Sequence, residues 1–240
     1  MEKILLVFVL ALTINFIEKT SAKQLKPQVS TQSQPCQFEP EDAESPFITK
    51  ATEIALKAKS KNLTVLDLGT GTGRNVKDLL EKGATIYAYD ADPESIKLIS
   101  EQFNCFLNNK KLYVYQESFE DIISLPTADM IIAWRSLPFM EKDKFPIFWE
   151  KIENALMPNG IFTGTFFGGQ HKTRRPLDRP KLFKLTREEV LNLFKNFLII
   201  DFQEEIEYDD EVSKEWGGDQ FEHIYRVIAK KKGTKQSGTQ

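Results

Sequence analysis

The spacing of apolar residues divides this chain into short elements that alternate between two periods. A predicted helix opens at Ser45-Pro46, with Phe47, Ile48, Ala51, Ile54, Ala55 and Ala58 at helical spacing up to Lys59. Residues Thr64 to Leu68 alternate and predict a strand; Asn75 to Lys82 put Val76, Leu79 and Leu80 on one helical face. The same reading predicts strand Thr85–Tyr89, helix Pro93–Phe103, strand Lys111–Tyr115, a short helix near Phe119–Ile123 and strand Asp129–Trp134. Helix Lys144–Ala155 follows, then Met157-Pro-Asn-Gly160 and strand Ile161–Phe167. Alternating strands and helices argue for a parallel sheet covered on both faces. The last third differs. Thr186-Arg-Glu-Glu189 is a capping box opening a helix to Asn196, and strands Phe197–Glu207 and Phe221–Lys231 are expected to pair antiparallel.

The most informative stretch is Val65-Leu-Asp-Leu-Gly-Thr-Gly-Thr-Gly-Arg-Asn75. A strand ends in an acid, three glycines alternate, and a helix begins. Glycines at such a turn let the backbone fold tightly and let a nucleoside-like ligand come closer than a Cβ would allow. A dinucleotide fingerprint requires G-x-G-x-x-G; Gly69, Gly71 and Gly73 instead give G-x-G-x-G, preceded by Asp67. A carboxylate there would crowd a pyrophosphate but can hold an ammonium group. A second acid, Asp90, ends the next strand 17 residues after Gly73, where it can accept ribose hydroxyls. Beyond it, Asp92 is a good N-cap and Pro93 a good first helical residue.

The pattern acid-x-G-x-G-x-G resembles the first motif of the class I S-adenosylmethionine-dependent methyltransferases. The turn "GTGRN" and the closing "VIAKK" look most like the small-molecule branch, including tellurite- and thiopurine-type enzymes. The likeness covers about residues 46 to 231. It implies an α/β, Rossmann-like fold: a seven-stranded, mostly parallel sheet with an antiparallel last strand and helices on both faces. It also implies S-adenosylmethionine as cofactor, contacted by Asp67, Gly69, Gly71 and Gly73 at the methionine end and by Asp90 at the ribose, with Thr70, Asn75 and Ala91 as further cofactor-binding residues. Ser118 and Phe119 would lie at the adenine, although relatives often have an acid where Ser118 stands, with Glu117 beside it. Ala133 would line the methyl end. On the acceptor side the resemblance points to Trp134, Arg135 and His171 as candidate catalytic residues. Trp134 and Arg135 in the core or in an ion pair, and Phe119 in the core of a capped turn, are the alternatives. No Asn-Pro-Pro-aromatic motif follows the fourth strand; Trp134-Arg-Ser-Leu-Pro-Phe139 stands there, which disfavours a nucleic-acid base or a glutamine as acceptor.

Composition narrows the choice. With 240 residues, 41% hydrophobic and 28% charged, the chain suits one domain with a sizeable core. A net charge of −3 offers no basic field for nucleic acid. Two cysteines, Cys36 and Cys105, make no disulfide framework or metal spacing, and two histidines, His171 and His223, make no His-rich metal centre. The expected partner is a small-molecule acceptor. His171-Lys-Thr-Arg-Arg175 with Arg179, Lys181 and Lys184 forms a basic loop that can recruit an anionic one, and Phe166-Phe-Gly-Gly169 beside it can hinge a lid. Glu204, Glu205, Glu207, Asp209, Asp210 and Glu211 form an acidic stretch. For both charge runs the alternative is a solvated face.

The N-terminus is at odds with a cytosolic enzyme. Lys3, the apolar run Ile4 to Ile17 and the small residues Thr20-Ser-Ala22 predict a signal peptide over residues 1–22, and the run is short for a membrane span of about 20 residues. An uncleaved anchor and a leader that goes unused are the alternatives. Residues 23–44 read as a polar linker, 45–231 as the domain and 232–240 as a disordered tail. Two other functions remain open at this point: a non-catalytic nucleoside-binding or secreted interaction protein on the same sheet, and a nicotinamide oxidoreductase.

Overall fold

The computed structural model describes residues 45–59, 62–172, 182–208 and 221–233. The expected leader and linker, and the tail beyond residue 233, lie outside the described residues.

The elements in chain order are α1 (Pro46–Lys59), β1 (Thr64–Leu68), α2 (Arg74–Glu81), β2 (Thr85–Asp90), α3 (Pro93–Gln102), α4 (Asn104–Asn108), β3 (Leu112–Gln116) and β4 (Ala128–Ala133). A 3₁₀ turn (Leu137–Phe139), α5 (Phe145–Ala155), β5 (Leu156–Phe167), α6 (Arg187–Leu193), β6 (Phe197–Tyr208) and β7 (Phe221–Lys231) complete them. The strands form one seven-stranded sheet in the order β3-β2-β1-β4-β5-β7-β6. Strands β1 to β5 pair parallel, and β7 runs antiparallel to both β5 and β6. This is the expected architecture. The order reverses between β1 and β4, so the crevice outside their carboxyl ends is where a ligand sits in such a sheet.

Two clusters sandwich the sheet. Phe47, Ile48 and Ala51 of α1, Val76, Leu79 and Leu80 of α2, and Ile99 of α3 cover one face. Phe148, Trp149 and Ile152 of α5 with Val190 of α6 cover the other, where Trp149 meets Phe162, Phe166 and Phe194 edge to face at 5.2–6.0 Å. Each large side chain fully buried there contributes on the order of 1.5–3 kcal/mol.

Three expectations change. No helix forms at Phe119–Ile123: the N–H groups of Asp121 and Ile122 both bond the Ser118 carbonyl, closing one turn, and the Ile122 carbonyl accepts Lys151 Nζ instead of continuing a helix. Two adjacent β-branched residues and the nearby Pro126 disfavour further turns. Strand β5 starts at Leu156, earlier than expected, because a register shift against β4 between Ala128 and Met130 takes up Met157 to Gly160. Finally, Cys105 is disulfide-bonded; the only other cysteine, Cys36, lies outside the described residues. Among the described residues no helix is long and apolar enough to cross a membrane, and no His, Cys, Asp and Glu cluster is arranged to hold a metal.

Candidate functional site

The turn after β1 is held from two sides. The N–H groups of Gly69 and Thr70 both bond the Tyr89 carbonyl, at 2.8 and 3.0 Å, and the Gly71 N–H donates to Asp90 Oδ2 at 2.8 Å. All three glycines have positive φ, +77°, +55° and +84°, which disfavours any side chain at these positions. Their surroundings differ. A Cβ on Gly69 would stand 2.2 Å from Ser136 Cβ, and Ser136 Oγ donates to the Leu68 carbonyl at 2.6 Å, so the exit of β4 closes against the turn. A Cβ on Gly73 would stand 2.9 Å from Phe103 and 3.0 Å from Ile99, so this glycine serves packing against α3. A Cβ on Gly71 meets nothing within 4 Å among the described residues. Of the three glycines, Gly71 alone has open space beside it, where a ligand would lie.

Two carboxylates flank that opening. Asp67 is fully buried and accepts the Thr70 hydroxyl at 2.8 Å. Asp90, at the tip of β2, accepts the N–H of Gly71 through one oxygen and that of Asp92 through the other, at 2.8 and 2.9 Å. A carboxylate offers about four lone-pair positions, so Asp90 can fix the turn and still receive ribose hydroxyls. Asn75 and Ala133 are buried behind the turn and Ala91 is exposed at its rim. The open middle glycine, the buried acid and the acid at the strand tip fit a cationic amino-acid moiety joined to a nucleoside.

At the exit of β3, the Glu117 N–H bonds the Asp90 carbonyl at 2.9 Å. Burial, then the Asp121 carboxylate, push the Glu117 acid above its ordinary range, with Lys151 opposing. The Ser118 hydroxyl donates to Asp121 at 2.7 Å, capping the turn, and the Phe119 ring stacks on Phe148 at 4.9 Å in the core.

The acceptor-side candidates are brought to one end of the sheet but to different neighbours. Trp134 packs on Phe47 of α1 with ring centres 6.0 Å apart. Arg135 has φ +52°, donates its N–H to Thr165 Oγ1 at 2.7 Å, and places its guanidinium bidentate on Glu222 at 2.8 and 2.6 Å. The ion-pair alternative therefore holds for Arg135, whose charge is engaged by β7. His171 is buried, its ring stacked on Phe167 at 3.7 Å and 8°, with Phe139 6.4 Å from Phe167.

Of the expected Gly168-Gly169 hinge, Gly168 is packed, while a Cβ on Gly169 meets nothing within 4 Å among the described residues. A Cβ on Gly168 would stand 2.4 Å from the His223 ring, and the Gly168 N–H bonds the His223 carbonyl at 2.7 Å, so this end of β5 is closely held. Of the acidic run, Glu204 contacts His223 and Arg187, and Glu205 pairs with Arg226; these are not a bare solvated face. Burial, then Arg135, hold the Arg226 guanidinium below its usual range. Asp209, Asp210 and Glu211 lie outside the described residues, as do Arg174, Arg175, Arg179 and Lys181 of the basic loop. Ser136, Thr165, Glu222 and His223 carried no sequence signal for these contacts, since their partners lie on distant strands.

Residues 65–160, from β1 to the middle of β5, match the model of a methyltransferase domain. That match marks this segment as a methyltransferase domain. No curated protein matches the chain. Among solved structures, TehB from Haemophilus influenzae is similar at 19% identity and TM-score 0.62, over 77% of this chain and 62% of that one. The chain therefore spans less than two thirds of TehB. A Burkholderia thailandensis 1,6-didemethyltoxoflavin-N1-methyltransferase, solved with its substrate and S-adenosylhomocysteine, is 20% identical with TM-score 0.54, over 78% and 79% of the two chains. The N-methyltransferase NodS from Bradyrhizobium japonicum, in complex with S-adenosylhomocysteine, is 11% identical with TM-score 0.56, over 78% and 89%. These structural likenesses establish the fold. The methyltransferase domain accounts for the glycine turn and both acids; a nicotinamide cofactor is set aside.

Proposed function

We propose that the protein transfers the methyl group of S-adenosylmethionine to a small-molecule acceptor. The observation that carries the proposal is the turn closed at Gly69 and Gly73, open at Gly71, with Asp67 and Asp90 beside the opening. Asp67, Thr70 and Gly71 would hold the methionine end, Asp90 the ribose, and Glu117–Phe119 the adenine edge. The cofactor supplies an electrophilic methyl and its own leaving group. What remains for the chain is alignment and a dry site, worth roughly 7–11 kcal/mol when positioning is good. Phe139, Phe167 and His171 form an apolar, stacked wall at the β5 exit suited to that task. His171 is the residue assigned to take a proton where the acceptor must lose one; Trp134 packs on Phe47 of α1, and Arg135 acts through Glu222. The acceptor is anionic in this reading, drawn in by Lys172, Lys184 and the arginines of the basic loop.

Calorimetry with S-adenosylhomocysteine tests the cofactor site, and release of label from methyl-labelled S-adenosylmethionine across an acceptor panel tests transfer. Tight binding with transfer supports the reading. Binding without transfer to any small acceptor would favour a non-catalytic nucleoside-binding protein on this fold.

The protein is exported in the same proposal. The apolar leader supports it, and so does the disulfide-bonded Cys105, since disulfides persist in oxidising compartments. S-adenosylmethionine is made inside cells, so export fits delivery to a compartment or host that contains it.

A further inference from the structure

The first residues of β7 grip the exits of two other strands. Phe221 exchanges both backbone hydrogen bonds with Lys172, at 2.8 and 2.9 Å. Glu222 takes the Arg135 guanidinium at the exit of β4. His223 takes the exit of β5: its carbonyl accepts the Gly168 N–H at 2.7 Å, and its Nδ1 accepts the Gln170 N–H at 3.2 Å. Successive strand residues point to opposite faces, so Glu222 and His223 reach their partners on either side of the sheet.

The His223 ring is itself held. With Nδ1 accepting from Gln170, its proton lies on Nε2 and is donated to Glu204 at 3.0 Å, and Glu204 in turn meets Arg187 of α6 at 3.5 Å. The ring is buried and occupies the space a side chain at position 168 would need. One residue beyond Gln170 stands His171, whose N–H bonds the Gly168 carbonyl at 3.0 Å and whose ring lies on Phe167. The chain from Arg187 through Glu204 and His223 to the Gln170 amide therefore ends on the turn that sets where His171 stands.

We propose that Glu222 and His223 form a clasp that positions the acceptor-side loops, His223 being the positioning residue for His171. The consequence for turnover rests on the methyl-transfer reading; the clasp itself does not. His223 holds the exit of β5 and so acts on the acceptor side, leaving cofactor binding alone. Glu222 holds Arg135, whose neighbour Ser136 closes against Gly69, and its effect can extend to the glycine turn.

The test uses the full chain as wild type, His223→Asn, His223→Leu and Glu222→Gln. Asparagine keeps an acceptor near the Nδ1 position; leucine keeps bulk and removes it. The readouts are amide exchange at Gln170 and His171, the imidazole nitrogen shifts, S-adenosylhomocysteine affinity, and turnover with the best acceptor of a panel of small thiols, amines and phenols. In His223→Leu the Gln170 amide should exchange about tenfold faster or more, as expected for a lost hydrogen bond, with cofactor affinity unchanged and kcat lowered. His223→Asn should restore most of the protection and of kcat, which a purely volumetric role would not predict. Glu222→Gln should lower kcat more than it weakens cofactor binding. Wild-type exchange in His223→Leu, no rescue by asparagine, or a loss confined to cofactor affinity would overturn the clasp. If the wild type binds no S-adenosylhomocysteine, the methyl-transfer reading fails while amide exchange still decides the clasp.

Discussion

Replacing Asp90 with alanine removes one carboxylate from two tasks that can be measured separately. In the absence of ligand it holds the Gly71 N–H and the Asp92 N–H, tying the glycine turn of β1 to the tip of β2. Hydrogen bonds to a charged group are worth about 1.5–3 kcal/mol each, and this carboxylate is half-buried and partly screened, so the ligand-free domain should lose about 1.5–3 kcal/mol in total. In the proposed cofactor pose the same oxygens face the ribose. Losing that contact should weaken S-adenosylhomocysteine by a further 1.5–3 kcal/mol, roughly ten- to a hundredfold in Kd. Urea denaturation reads the first quantity and titration calorimetry the second. Asp92→Ala is the control. It removes the N-cap of α3, where Asp92 accepts the N–H groups of Glu94 and Ser95, and should cost about 1 kcal/mol of stability with affinity unchanged. A folded Asp90→Ala protein whose Kd stays within about threefold of wild type would refute the ribose assignment and leave Asp90 as a pin for the turn alone.

Alanine at Gly73 should destabilise the domain by about 2–5 kcal/mol, from backbone strain plus the clash of its Cβ with Phe103 and Ile99, whereas alanine at Gly71 should cost about 1–2 kcal/mol of backbone strain alone and chiefly weaken S-adenosylhomocysteine. Chemical denaturation and calorimetry on the pair would expose an error if both variants behaved alike. Glu117→Gln should stabilise the ligand-free domain at neutral pH. Folding raises this acid, so the folded state holds its proton more tightly than the unfolded one, and stability is lost as pH rises through the window above the ordinary carboxylate range. The advantage should vanish on acidification below that range; melting curves that show the same gain at every pH would refute the burial cause. Intact mass of protein recovered outside the cytoplasm of a secreting host should begin at Lys23; a product that starts at Met1 and stays in the cytosol would remove the case for export.

Much of the cofactor half was legible because its determinants are local. A strand, a glycine turn, a helix and a second strand follow one another within about thirty residues, so alternation and two acids place Asp67 and Asp90 before any contact is known. The separate reasons for the glycines were not legible: Gly69 meets Ser136 and Gly73 meets Phe103, and periodicity says which face a residue takes, not which neighbour it meets. The helix expected at Phe119–Ile123 failed for a similar reason. Its propensity is weak, and a distant lysine captures the carbonyl that would have carried it on.

The acceptor half depends on longer connections. Arg135 and Glu222 are 87 positions apart, and Gln170 and His223 are 53 apart. Read alone, Arg135 is an exposed charge after a strand, and His223 a histidine in an alternating run. Antiparallel β7 makes them partners, because its first residues arrive beside the carboxyl ends of β4 and β5. A parallel strand at that place would bring its last residues there instead. The reversal that closes this sheet therefore also supplies the acceptor end with the start of a strand. Changes at His223 of β7 can thus reposition that end while the glycine turn keeps its own bonds to Tyr89 and Asp90. Acceptor choice can then vary while the cofactor site stays fixed.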